Sequence, residues 1–278
     1  MDDQIIAVFC LCDDLLKAMR HQEDPQCHMG DAEVMTTALI AVLEYGGNFE
    51  KACRTLDAPH YIPRMLDASR FNRRLHRIKS MFLTLFHVLA EVWKDLNADA
   101  IYSLDSFPIA VCDNIRISRA KIYHDNRYRG YIPSKRRYFY GVKVHLIVTA
   151  TGQPVEFFLT PGSLGDVKAL ELFDFDLPPG STLYADRAYN DYQAEDELLA
   201  SAQLELQPMR KKDSTRPFPP YIRYLQHHYR KRVETAGSLI ERLLPKSIHA
   251  VTAAGFELKV VLFVLAFISI AYRWQLGL

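Results

Sequence analysis

The hydrophobic periodicity of this 278-residue chain changes once, near residues 97 to 99, and that change limits the folds open to it. Up to Trp93 the apolar residues recur at three- and four-residue spacing, the period of amphipathic helices. Ile5, Ile6, Phe9, Cys12, Leu15, Leu16 and Met19 mark a first helix. Asp31 is expected to cap a second, which carries Val34, Met35, Ala38, Leu39, Val42 and Leu43 and stops at Gly46-Gly47. Asn48 opens a short third helix through Leu56, and Ser69 opens a long one with Leu75, Ile78, Phe82, Leu85, Phe86, Leu89 and Trp93 on its buried face. From Ala100 onward the pattern becomes short β-type runs, at 100–104, 109–112, 139–149, 153–160, 182–185 and 203–208. Helices are expected between them, one starting near Asp166 and one capped by Asn190. Strands interleaved with helices define an α/β core. The expected organisation is therefore an all-helical region over residues 1–97 followed by a mixed-sheet domain over 98–278.

The bulk numbers exclude several classes. The chain is long enough to bury a core without staples, and 49% apolar with 24% charged residues is ordinary globular composition. Its five cysteines are an odd number, and with no secretory leader read at the start they imply reduced thiols in a cytosol. Cys10, Cys12, Cys27 and His28 lack zinc-ligand spacing and read as small buried hydrophobes. The apolar run from Val260 to Tyr272 is 13 residues long, short of the roughly 20 needed to span a bilayer, so it reads as a buried helix.

Three acidic positions stand out. Asp105 closes an apolar run in Tyr102-Ser103-Leu104-Asp105-Ser106-Phe107-Pro108, Asp186 closes another in Leu183-Tyr184-Ala185-Asp186-Arg187, and Glu234 lies in a polar helical stretch, Arg230-Lys231-Arg232-Val233-Glu234-Thr235. Two strand-end carboxylates and one helical carboxylate suit a hard divalent cation such as Mg²⁺, which takes oxygen ligands and can clamp the attacking and leaving oxygens of a phosphodiester as a metal pair. Asp166 reads as a helix cap and His145 as a satisfied strand histidine.

These segments, with Gly30-Asp31-Ala32-Glu33-Val34, Ser69-Arg70-Phe71-Asn72-Arg73-Arg74, Ile248-His249-Ala250 and Gly255-Phe256, resemble the DDE transposases of bacterial insertion sequences that have an RNase H-like catalytic core, most closely the nine-eight-two insertion-sequence type. The resemblance implies that Asp105, Asp186 and Glu234 are the catalytic, metal-holding trio. It also implies two Mg²⁺ or Mn²⁺ ions, cleavage at the ends of a DNA element, and transfer of the freed 3′-OH to target DNA. The implied partners are double-stranded DNA, as terminal inverted repeats and as target, and a second copy of the chain in a homodimer. The implied location is the cytoplasm of a bacterium or archaeon, at the nucleoid. Related families carry Tyr, Arg, Glu and Lys around the last motif. Tyr229, Arg232 and Glu234 match loosely, whereas position 241 is Glu, followed by Arg242. A nuclease without strand transfer and a repurposed, non-catalytic DNA-binding protein remain open as alternatives.

The formal net charge of +1 hides a segregation that fits a nucleic-acid partner. Residues 1–50 hold ten acids against Lys17 and Arg20, whereas 51–87 hold eight basic residues against Asp57 and Asp67. In the long helix Arg70, Arg73, Arg74 and Arg77 are candidate DNA contacts. Two later segments, 116–143 with nine basic residues and 210–232 with eight, interleave cations with aromatics. Cations there would track phosphates and rings would stack on unpaired bases. Their candidates are Arg127, Arg129, Lys135, Arg136, Arg137, Lys211, Lys212, Tyr229 and Arg232, with about half of the tyrosines expected in the core.

Overall fold

In the computed structural model, which describes residues 2–112, 114–133, 136–245 and 248–276, five helices come first: α1 (Asp2–Ala18), α2 (Asp31–Tyr45), α3 (Phe49–Leu56), α4 (Ala68–Arg77) and α5 (Lys79–Asp95). They are followed by β1 (Ile101–Cys112), β2 (Arg129–Ile132), β3 (Arg137–Thr149), β4 (Pro154–Pro161), α6 (Asp166–Leu170), β5 (Thr182–Ala185), α7 (Tyr192–Ala202), β6 (Glu205–Pro208), α8 (Pro220–Leu243) and α9 (Ala253–Leu276). The chain packs as two units, one of residues up to Val88 with those from Ile240 on, the other of Leu89–Leu239.

The first unit is built around α2. Every residue from Val34 to Val42 is buried, as expected of a helix apolar on all sides, and α1, α3, α4 and α9 pack against it. The apolar run in α9 closes this core through Leu262, Phe263, Val264 and Leu265. Among the described residues no helix is long and apolar enough to cross a membrane. Gly46 and Gly47 end α2 with φ of 58° and 79°, a left-handed stop that costs glycine little.

Local details depart from the expectations. The helix read as continuous from Ser69 to Trp93 is two, because Ile78 leaves helical geometry at φ −100°, ψ 15°. The buried stripe Phe71, Leu75, Ile78, Phe82, Leu85 continues across the break, so the apolar period could not reveal it. Asp67, not Ser69, caps α4, accepting from the N–H groups of Ser69 and Arg70 at 3.0 and 2.9 Å. Gly30, not Asp31, holds the cap position of α2, with Glu33 Oε2 accepting from its N–H at 2.7 Å. Asp31 instead receives Arg74 Nη2 at 2.5 Å and lies 2.8 Å from His21 Nε2. Asn48 caps α3 as expected, accepting from Lys51 N at 3.0 Å.

The second unit is centred on β1, one strand where the sequence suggested two runs. β1 pairs antiparallel with β3 and parallel with β5, and β6 adds in parallel beyond β5. Tyr140 of β3 faces Cys112 on one side and Arg129 on the other, so β2 takes the far edge of β3, as does β4 through Val142–Val148. The sheet order β2-β3-β1-β5-β6, with β4 on β3, is an antiparallel meander extended by two parallel strands through helical crossovers. This is the RNase H-like mixed sheet that was expected. Asp191 rather than Asn190 caps α7, through the N–H groups of Gln193 and Ala194. Asp166 is the first residue of α6 and Gly165 its cap, so the capping role expected of Asp166 does not hold.

Where α5 ends, the buried Lys94 ammonium donates to Asp176 O at 2.5 Å and lies 3.5 Å from Glu156 Oε1. Burial pushes the Glu156 carboxyl up to about 7, against the pull of Lys94. A carboxyl raised in the folded state binds more protons folded than unfolded between its ordinary value near 4.5 and about 7. Its contribution to stability is therefore complete at low pH and declines as pH rises through that window. Lys94→Met leaves a buried carboxylate uncompensated, and the expected cost is about 3–5 kcal/mol at pH 8. Thermal denaturation should show the deficit shrinking toward pH 5, where Glu156 is neutral; an equal deficit at both pH values would refute this account of the pair.

Candidate active site

Strand register brings the first two carboxylates together. Parallel pairing matches Leu104 with Ala185, so Asp105 and Asp186 are the next positions on neighbouring strands, which lie about 4.8 Å apart in any sheet. Asp186 keeps extended geometry, φ −71° and ψ 166°, and begins the tight turn Arg187–Tyr189. The third carboxylate comes from α8, which three contacts hold against the sheet. Gln226 Nε2 donates to Gln207 O and Pro208 O of β6 at 3.2 and 3.3 Å. Tyr229 stacks on Tyr184 of β5, centroids 5.5 Å apart. At Gly237 a Cβ would stand 3.3 Å from the ring of Phe107, so glycine lets the helix come close to β1.

Arg230 joins the carboxylates. Its Nη2 lies 2.9 Å from Glu234 Oε1, one helical turn on, and its Nη1 lies 3.4 Å from Asp186 Oδ1. Asp105 is half-buried, accepts from Ser106 N at 2.8 Å, and has its carboxyl pushed up to about 6. Burial is the main cause; Asp186 and Glu234 add repulsion, and the Ser106 N–H and Arg230 oppose it. Two of the three predicted carboxylates, Asp186 and Glu234, thus share one guanidinium, and Asp105 lies near enough for all three of these charged groups to act on it. Among the described residues no three His, Cys, Asp or Glu side chains are grouped to hold a metal ion, and Arg230 occupies the place of a cation between Asp186 and Glu234. The donor set still fits a hard divalent ion: it is all carboxylate oxygen, and a cation already bridges part of it.

A second polar layer backs the trio. Ser106 Oγ donates to Asp166 Oδ1 at 3.3 Å, and Lys143 Nζ donates to the same oxygen at 3.0 Å and to Leu164 O at 2.7 Å. His145 pairs in register with Ser106, and its ring nitrogens lie 2.7 Å from Tyr189 Oη and 2.9 Å from Thr160 Oγ1. Burial lowers His145 to about 3 and keeps the ring neutral. It is the satisfied strand histidine that was expected. Arg230 was not among the residues expected at the site; Arg232 was, and it is exposed. The four-residue spacing from Arg230 to Glu234 was the signal available.

The proposed DNA contacts differ in availability. Arg70, Arg73 and Arg77 are exposed on α4, but Arg74 is half-buried and committed to Asp31. Arg127, Arg129, Arg136, Arg137, Lys211, Lys212 and Arg232 are exposed, with Arg127 paired to Asp125 at 2.6 Å. Tyr229 is spent on packing against Tyr184. Lys135 lies outside the described residues. Of the tyrosines in the basic segments Tyr123 and Tyr140 are buried, whereas Tyr131, Tyr138, Tyr221 and Tyr224 are exposed.

A strand-borne pair of aspartates joined by a helical glutamate on a mixed sheet defines the class of protein. Comparison with known proteins agrees: the family model described as the transposase DDE domain matches residues 96–245. The chain belongs to that family. Among solved structures it is similar to a piggyBac transposase in a synaptic complex with hairpin DNA, at 11% identity and a TM-score of 0.51, over 99% of this chain and 73% of that one. At that identity the likeness concerns the fold. No curated protein sequence matches the chain.

The trio's charge balance has a measurable consequence. Asp105 is raised above its ordinary value of 3.8, so in metal-free protein its ionisation costs stability, fully felt above about pH 6 and mostly gone near pH 4. Asp105→Asn should stabilise EDTA-treated protein at pH 7.5, by at most about 3 kcal/mol and by less once solvent screening is counted, which is read as a higher thermal midpoint. The gain should fall to about a third at pH 4.5 and go on shrinking below it. A destabilised Asp105→Asn protein at pH 7.5 would show that burial and the neighbouring carboxylates do not hold the ionised Asp105 at a cost.

Proposed function

We propose that this DDE-domain protein is the transposase of a bacterial insertion sequence of the nine-eight-two type, which binds the element's ends, cleaves there and joins the freed 3′-OH to target DNA. The observation that carries the reading is that the β1–β5 register sets Asp105 beside Asp186 while α8 brings Glu234 to the same place, Arg230 pairing with both Asp186 and Glu234. Asp105, Asp186 and Glu234 would hold two Mg²⁺ or Mn²⁺ ions, Asp105 being shared. When bound, such ions activate the attacking oxygen and stabilise the leaving one. The chain's own work is positional. Ser106 N fixes the Asp105 carboxylate, Lys143 holds Asp166 behind Ser106, and Arg230 balances charge until it gives up at least one of its carboxylates.

Residues 1–97 are assigned to end recognition, with Arg73 and Arg77 as available cations and Arg70 paired to Asp67 at 3.2 Å, and the sheet-bearing part of residues 98–278 to catalysis, since the residues from Ile240 on pack in the first unit. The exposed cations at 127–137 and 211–232 would follow the DNA backbone beside the trio. Double-stranded DNA, as inverted repeats and as target, is the partner, the working form is a homodimer, and the setting is the cytoplasm at the nucleoid. The piggyBac structure, solved with hairpin DNA, supports DNA as the ligand of this fold.

The test is cleavage of a labelled duplex carrying the element's end, with products mapped on a sequencing gel. Activity is expected with Mg²⁺ or Mn²⁺ and not with Ca²⁺, whose looser coordination misplaces the reacting oxygens. Asp105→Asn and Glu234→Gln should abolish cleavage while leaving DNA affinity unchanged or slightly tighter. Equal cleavage in EDTA and in Mg²⁺, or full activity in either variant, would sink the proposal.

A further inference from the structure

Two motifs that the trio does not use, Ile248-His249-Ala250 and Gly255-Phe256, meet α4 in the first unit. Between α4 and the start of α9 lies a cleft of about 550 Å³, whose walls include Asn72, Arg73, His76, His249 and Lys259. No carboxylate lines it among the described residues. Phe256 is fully buried and anchors the first turn of α9 in the core. A Cβ at Gly255 would stand 3.5 Å from the His76 ring, so that turn and the imidazole lie in van der Waals reach of each other across the cleft. Thr252 caps the turn, accepting from Gly255 N at 3.1 Å, and the helix's first internal bond runs from Phe256 N to Thr252 O. The earlier N–H groups of the turn, at Ala253 and Ala254, have no partner within the helix.

Lys259 is the second, independent sign. Its ammonium donates to His249 O at 2.7 Å and sits 5.0 Å from the centroid of the Phe49 ring, with no carboxylate paired to it among the described residues. Burial pulls its pKa below the ordinary lysine value, with no compensating charge. Arg73, on the opposite wall, is exposed and carries no ion pair among the described residues. A half-buried cation left without an anion costs free energy, which an anionic ligand would recover.

We propose that this cleft is a phosphate-binding site for duplex DNA, in which Arg73, His76 and Lys259 and the first turn of α9 hold backbone phosphate oxygens. The segment 248–259 is thereby part of the end-binding surface together with α4. The inference rests on the reading that the chain binds DNA, and it assigns no base contact, because phosphate contacts position a duplex without reading it.

The test uses the full chain carrying Asp105→Asn, so that no cleavage intervenes, and a fluorescein-labelled mixed-sequence duplex followed by anisotropy between 50 and 200 mM KCl. Val251 lines the cleft and is 78% exposed, so Val251→Glu puts a carboxylate at its mouth without touching the core. Binding should weaken about three- to tenfold, and Arg73→Gln should lower the salt slope by about 0.9, the value of a single phosphate no longer neutralised. Ile6→Glu on α1, 58% exposed and outside the cleft, makes the same charge change and should leave affinity unchanged. Melting curves for each variant exclude unfolding. Unchanged affinity in Val251→Glu together with an unchanged slope in Arg73→Gln overturns the cleft proposal while leaving DNA binding intact. No binding by the parent chain overturns the DNA reading itself. Inorganic phosphate at matched ionic strength should compete only weakly; full competition at millimolar phosphate would mean that the cleft takes the free ion rather than DNA, and would overturn the proposal.

Discussion

Parallel pairing of β1 with β5 is the constraint on which the second unit depends. β5 is only four residues long, and its register sets Ala185 beside Leu104. A slip of one residue would turn Asp186 to the opposite face of the sheet. The correct register has a cost, since like charges on adjacent strand positions repel and the site is partly shielded from water. The fold answers it in two ways. Asp105 has its charged form opposed by burial, and Arg230 reaches over from α8 to neutralise Asp186 and Glu234 together. The guanidinium therefore links the helix to the sheet as well as balancing charge. Gly237, one turn beyond Glu234, supplies the close approach that lets a side chain on α8 reach a strand end.

Much of this was legible in the residues because period and position carry it. The change of period near residue 98 separates the five leading helices from the sheet, and the run closed by Asp186 announces a strand end bearing a carboxylate, whereas Asp105, read the same way, lies inside β1, which runs on to Cys112. Other features depend on tertiary contacts that leave no period. Ile78 breaks a helix without interrupting its apolar stripe. Asp166 has the composition of a cap, yet its carboxylate turns to Ser106 and Lys143, which approach only because β1 and β3 pair as they do. Arg74 reads as one more cation on a basic face, but Asp31, 43 residues earlier, draws it inward. A charge run in sequence offers candidates, and the fold decides which of them are free.

Polar groups inside the second unit tie its connections to its sheet. Lys94 at the end of α5 takes the buried Glu156 of β4 and the backbone of Asp176. Lys143 of β3 takes Leu164 O and Asp166 in the loop that follows β4. Arg210 after β6 takes Glu195 of α7 at 2.5 and 2.6 Å and Asn190 at 2.5 Å. Such pairs add little net stability over apolar packing, but removing one partner is expensive, so they act chiefly to select one arrangement of the loops. The arrangement held by Lys143 lies directly behind Ser106, beside Asp105, and a site that must hold reacting groups to a fraction of an ångström gains from that selection.

The two basic segments of the second unit are held in the same manner, and this bears on how they meet a ligand. At the root of the β2–β3 hairpin two glycines, Gly130 and Gly162, close around the Phe139 ring, and a third, Gly141, packs against the backbone of β1. A Cβ at Gly130 would stand 2.2 Å from Gly162 O and 2.3 Å from the Phe139 ring, and one at Gly141 would stand 2.0 Å from Ile109 O. No side chain fits there without moving the backbone, so the hairpin is fixed to the sheet at its base, while Arg129, Arg136 and Arg137 remain exposed. In the other segment Arg210 lies between the rings of Tyr192 and Phe218, 5.0 and 4.4 Å from their centroids, and Lys211 and Lys212 beside it are exposed. Each segment therefore has a rigid root and free cations. Cations presented on such roots lose less freedom when they meet a phosphate than cations on a disordered arm, so more of each contact appears as affinity.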